Sequence, residues 1–246
     1  MPGRRWRSIS YGWELRFTRC AETRARGKLK TGEPIALKIY ATPLSANGRK
    51  VLAVCRHLGL NPEIHDVNVY RGEGRAPQYL AINPSGKIPT LVDGEFVLSE
   101  SNAILLYLAE AHGAGRLCSG ESKQRGRIAQ WLFWESAHWQ PTLIAFLSEL
   151  VGHRLLPERV PKPRDPLDWS SAVVQPVLKT LETGLSASAF LTGSEVTIAD
   201  FAVAGMMTYS RAADFPFQRL PKIADWYARM ESFDAWRDTE SPTWAQ

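Results

Sequence analysis

The first pattern along the chain is alternation. Residues 36–40 (Ala-Leu-Lys-Ile-Tyr) switch between apolar and polar side chains and then meet Pro43, which predicts a short strand running into a loop. Over 47–60 the apolar positions move to helical spacing, at Val51, Leu52, Cys55, Leu58 and Leu60, and Gly59 with Asn61-Pro62 ends the helix. Residues 64–69 alternate again, so the unit is β-α-β, whose right-handed crossover pairs its strands in parallel. A short helix over 77–82 follows, then the turn-former loop Asn83-Pro-Ser-Gly-Lys-Ile-Pro89. Residues 90–92 and 96–98 flank Asp93-Gly94, a hairpin. Residues 99–110 predict a helix whose apolar face holds Ile104, Leu105 and Leu108.

After a Gly/Ser-containing break at 113–122 the strand period does not return. Residues 125–150 predict one long helix bent at Pro141, and four prolines within 157–166 require a loop. A helix over 167–184 follows. Thr197-Ile-Ala-Asp200 is a capping box opening an apolar helix, with Asp200 as cap rather than catalyst, and Pro221 opens a last helix over 222–232. Seven of nine Trp lie beyond residue 130, so this half is all-helical with an aromatic core. The expected fold class is an α/β unit over 36–114 followed by an all-α domain over 120–246.

Composition narrows the class. With 44% apolar and 22% charged residues, the 246-residue chain is that of an ordinary globular protein. Its longest apolar run, 103–109, is too short to span a bilayer. Cys20, Cys55 and Cys118 form no paired pattern, which fits a reducing, cytoplasmic setting, with Cys55 as a core residue. The five His show no ligand spacing, so no metal is expected.

A net charge of +5 and a pI of about 9.2 suggest nucleic acid until the charge is divided. Residues 1–35 hold seven Arg and two Lys against three Glu, and the remainder is near neutral. The basicity belongs to an arm that lacks an apolar signal core, carries too many acids for a transit peptide, and has no base-reading motif. It reads as a disordered extension. No nucleic-acid or membrane partner is expected.

Three features of the first domain converge on chemistry. Tyr40-Ala-Thr-Pro-Leu-Ser45-Ala-Asn47 is a polar loop at the start of the first helix. Lys87-Ile88-Pro89 enters a strand through a proline that can be cis, leaving backbone groups free for a ligand. Ser99-Glu100-Ser101 heads a helix, where free N–H groups and the dipole favour an anion.

Together these residues resemble the glutathione transferase superfamily over about 36–240. The most specific stretch is AINPSGKIPTLVDGEFVLSESNAILLYLAE (81–110), matching the family's NP-x-G-x-[VI]-P-x-L…ES-x-AI signature. The resemblance implies a thioredoxin-like N-terminal domain, an α-helical C-terminal domain, a homodimer, and glutathione as cosubstrate without a cofactor. It implies that Ser45 activates the glutathione sulfur, with Asn47 as its rival. Ile88 before Pro89 would bond the cysteinyl backbone, and Glu100 with Ser101 would hold the γ-glutamyl end. Lys87 and Arg75 would meet the glycine carboxylate, while Gly74 stands where many relatives have His. Leu44, Trp134 and His138 would line the electrophile pocket, although Trp131, Trp134 and His138 fit an aromatic core equally well. The expected activity is glutathione transfer to small hydrophobic electrophiles. The alternatives are a non-catalytic binding or regulatory module, or glutathione-dependent peroxidase, isomerase or dehalogenase chemistry. The lack of a Ser-Ser-Cys motif counts against an isomerase.

Overall fold

The computed structural model describes residues 37–244, so the extension over 1–35, with Cys20, and Ala36 of the predicted first strand lie outside the described residues. Strand β1 (Leu37–Ala41) forms on the predicted alternation, with Leu37, Ile39 and Ala41 turned into the core. Helix α1 (Ala46–His57) crosses to β2 (Glu63–Asp66), which pairs with β1 in parallel. β2 ends three residues before the predicted strand does, because Val69–Arg71 and Glu73–Arg75 coil into two 3-10 turns. Short α2 (Pro77–Leu80) leads to the hairpin β3 (Thr90–Asp93) and β4 (Phe96–Ser99), and the sheet order is β2-β1-β3-β4. The Ile88–Pro89 peptide at the entry to β3 is cis. Helices α1 and α3 (Ser101–His112) pack together on one face of the sheet. On the other, Tyr40 stacks on His65 with ring centroids 4.5 Å apart and meets Tyr79 at a tilt, 5.7 Å away.

The second half is helical, as its period implies. Where one bent helix is predicted over 125–150, three follow one another: α4 (Ser122–Trp134), α5 (Gln140–Phe146) and α6 (Ser148–Leu155). Between α4 and α5 lies a π turn, Glu135–Trp139, in which the Gln140 N–H reaches five residues back to the Glu135 carbonyl. Pro141 has no N–H to continue an α ladder, so the chain widens before it and restarts with proline in the first turn. The helix predicted over 167–184 begins only at α7 (Gln175–Gly184), because Asp168 and Ser171 side chains cap the backbone of local turns ahead of it. Helix α8 (Ile198–Ala204) is buried at every position and lies against α1, α4 and α9 (Pro221–Ser232). Asp200 starts α8 as its cap: its carboxylate accepts from the N–H groups of Thr197 and Leu191, each at 2.9 Å, and from the Trp226 indole at 3.0 Å. After α10 (Asp234–Arg237), the last described residues return to α1, bringing Trp244 against the β1–α1 loop. Among the described residues no helix is long and apolar enough to cross a membrane.

Candidate active site

Helix α1 is built to present its N-terminus. Ser45 is its N-cap, and the Ser45 hydroxyl accepts the Gly48 N–H at 3.4 Å. Gly48 is required there, since a Cβ would lie 2.3 Å from the Thr42 carbonyl oxygen. The helical half pins the loop from the other side. The Tyr209 hydroxyl accepts the Ala46 N–H at 3.2 Å, and the Trp244 indole donates to the Leu44 carbonyl at 3.0 Å. Burial holds the Tyr70 phenol, near Ser45 and Tyr209, above its usual pKa.

Beside this helix end lies a cavity of about 720 Å³. One wall comes from the sheet half: Asn47, Lys87, Ile88, Pro89, Glu100 and Ser101. The other comes from α4, the π turn and α5, including Phe133, Ser136, Gln140 and Ile144. The polar and apolar walls face each other across one space. Ser101, buried at the head of α3, donates its hydroxyl to Asn47 Oδ1 at 3.1 Å. The Asn47 side-chain amide nitrogen and backbone N–H have no acceptor among the described residues, which leaves two donors at the helix end. Ile88 lies outside the sheet ladder and its main chain bonds no described residue. Glu100 takes φ 67 and ψ 110, a left-handed conformation that side-chain-bearing residues rarely adopt, as it turns the chain into α3.

The structure thus brings together Asn47, Lys87, Ile88, Pro89, Glu100 and Ser101. It does not bring in the others. Ser45 is 8% exposed, engaged as a cap, and lies off the cavity wall. Arg75 is exposed and lies outside the lining, near Gly86. Gly74 stands where a Cβ would come 2.3 Å from the Gly86 carbonyl oxygen, so this chain has no room there for the His of many relatives. Leu44, half-buried, lines neither this cavity nor the next. Trp134 and His138 line a second cavity of about 700 Å³ between α4 and α7, on the far side of Phe133. Trp134 packs against Trp131 and Trp139, while Phe133, Ser136, Gln140 and Ile144 face the first cavity. Sequence reasoning missed Asn102 and Glu135, which also line the first cavity and share a buried ion, Lys50. The visible signal is a charged residue, Lys50, in a helix whose neighbouring positions Val51, Ala53 and Val54 are apolar. Among the described residues no three His, Cys, Asp or Glu side chains gather to hold a metal.

Known proteins share both halves of this fold. The family model "Glutathione S-transferase, N-terminal domain" matches residues 39–116, and "Glutathione S-transferase, C-terminal domain" matches residues 171–229. Glutathione S-transferase F10 of Arabidopsis thaliana is 32% identical over 215 residues, covering 84% of this chain and 97% of that relative. Human glutathione S-transferase theta-2 is 28% identical, covering 81% of this chain and 82% of its own length. Among solved structures, the Bombyx mori glutathione transferase BmGSTD1 superposes with a TM-score of 0.74 at 28% identity, over 85% of this chain and 94% of that one. With both halves of the chain matched and a curated relative above 30% identity across nearly its whole length, this chain belongs to the glutathione S-transferase family, whose members use glutathione as cosubstrate.

Proposed function

We propose that the 720 Å³ cavity holds glutathione along its sheet-side wall and a small hydrophobic electrophile against α4 and α5, and that Asn47 at the start of α1 stabilises the thiolate. The observation that carries this reading is the place of Asn47. It lies on the cavity wall with Ile88, Glu100 and Ser101, and its two N–H donors have no acceptor among the described residues. In this reading Ile88 bonds the cysteinyl backbone of the tripeptide through its main chain. The head of α3 takes the γ-glutamyl carboxylate, Glu100 takes the amino group, and Lys87, with exposed Arg75 at the edge, meets the glycine carboxylate.

The magnitudes are sufficient. A free thiol of pKa ~8.5 is about 3% ionised at pH 7, and making the thiolate dominant takes roughly 2 units, or ~2.7 kcal/mol. A hydrogen bond to a charged acceptor contributes about 1.5–3 kcal/mol, and a helix N-terminus about 0.3–1 kcal/mol. The thiolate then attacks the electrophilic carbon. With a chloronitroaromatic, the C–S bond forms, chloride leaves with the C–Cl pair, and the thiol proton passes to solvent. A cytoplasmic homodimer is part of the same reading, and the exposed apolar side chains of Phe96 and Val97 on β4 support a partner-covered surface.

The competing reading keeps Ser45 as the activator, with Tyr70 and Tyr209 relaying to its hydroxyl. Two variants separate them. Asn47→Ala is expected to lower kcat/KM for glutathione with a chloronitroaromatic by about 10–100-fold, the loss of one or two charge-assisted bonds. Ser45→Ala is expected to lower stability by about 1 kcal/mol through the lost cap, and kcat/KM only a few-fold. The opposite pattern transfers the role to Ser45. A native protein that neither binds nor conjugates glutathione returns the non-catalytic module.

A further inference from the structure

Lys50 is the anomaly of α1. Its side chain is fully buried, and its ammonium donates to Asn102 Oδ1 at 2.9 Å and to Glu135 Oε1 at 3.1 Å. Asn102 in turn donates to Glu135 Oε2 and to the Leu132 carbonyl, each at 2.9 Å. One turn earlier on the same face of α1, Asn47 accepts from Ser101. So α1 and α3 are joined by two successive rungs, Asn47 to Ser101 and Lys50 to Asn102. The second rung is closed from the helical half by Glu135, the first residue of the π turn. The lysine stem runs past Gly205, where a Cβ would lie 3.2 Å from Lys50 Cδ, so the backbone of the helical half leaves the channel that the stem fills.

An ion pair is not needed to hold such a junction. Apolar side chains of similar volume usually serve as well or better, because burying two charges costs most of what their attraction returns. What the polar version adds is direction. It fixes the angle and register between two helix N-termini, and both Asn102 and Glu135 reach the cavity wall. The charges that face the ammonium are Glu135 and, farther off, Glu100.

We propose that Lys50 is a positioning residue. Through Asn102 and Glu135 it locks α1 to α3 and to the π turn, and so holds the Asn47–Ser101 pair in the alignment that receives and ionises the glutathione thiol. This rests on the function proposed above.

The test pairs two variants with two readouts. Lys50→Met/Glu135→Leu removes both charges and keeps the volume, and Asn102→Ala keeps the ion pair but cuts the rung to α3. Thermal melting reports on folding. The KM for glutathione, and the pH at which bound thiol ionises, followed by thiolate ultraviolet absorbance, report on alignment. Melting of the double variant is expected to stay near that of the native protein. In both variants the KM should rise about tenfold and the ionisation midpoint should move up by about one unit, which corresponds to ~1.4 kcal/mol. Native KM and midpoint in the two variants would overturn the proposal and leave the function standing. So would a double variant that does not fold, since the pair would then serve folding rather than alignment. Absence of glutathione binding in the native protein would instead remove the function itself.

Discussion

Glu100 carries two opposing demands. Its φ of 67 is a conformation that costs a residue with a side chain about 1–3 kcal/mol, and glycine adopts it freely. Its carboxylate is exposed at the cavity and caps nothing in α3. Glu100→Gly is therefore expected to melt no lower than the native protein, while the KM for glutathione rises at least about tenfold from the loss of a charge-assisted bond. A clear loss of stability without change in KM would show that the residue serves the fold. Cys55 behaves in the opposite manner. Burial pushes its thiol up to about 12, so it should resist alkylation in the folded protein and react only on unfolding. The resemblance left the choice between Ser45 and Asn47 open, because both are polar side chains in one loop. The two side chains take different places in the structure. The Ser45 hydroxyl turns back to the Gly48 N–H as a cap, and the residue two positions on faces the cavity.

At the scale of elements, local chemistry decides where helices begin. The Thr197–Asp200 box was legible because it is local: a hydroxyl residue and an acid three apart, ahead of an apolar run. Its extra donors, from Leu191 and Trp226, come from elsewhere in the fold and make Asp200 more than a cap. Asp200→Ala leaves these buried donors unsatisfied and is expected to cost about 3 kcal/mol or more in denaturant unfolding, with a large fall in soluble yield. The π turn was not legible. Pro141 announces a disturbance but not whether the helix bends or widens.

At the scale of the molecule, the helical half holds the β1–α1 loop through contacts that span most of the chain. Trp244 is fully buried, T-shaped against Tyr209 at 4.8 Å, and holds the Leu44 carbonyl. Arg49 lies over the Trp236 ring at 4.1 Å and donates to its carbonyl. These contacts make the C-terminal segment a strap across α1. The packing also sets a pH limit. His57 sits between Phe201 and Phe233, each at 5.3 Å, and burial, helped by Arg116, holds its pKa below the usual 6.5. The unfolded chain then takes up this proton before the folded one. The His57 contribution is fully present above about pH 6.5 and is lost as the pH falls toward the folded pKa. Melting temperatures measured from neutral pH down to about pH 5 should fall, and fall less in His57→Gln. An equal fall in both would assign the acid sensitivity elsewhere.

What the sequence determined by itself was whatever is local or repeated. The two-residue period of the strands, the capping box that opens α8, the signature over 81–110 and the change from α/β to all-α all rest on neighbours a few residues apart. Tertiary structure decided the rest. The partner of Lys50 is 85 residues away, and that of Leu44 is 200. A buried charge or a free carbonyl is neutralised by whatever the packing brings within 3 Å, and no pattern of nearby residues encodes which side chain that is.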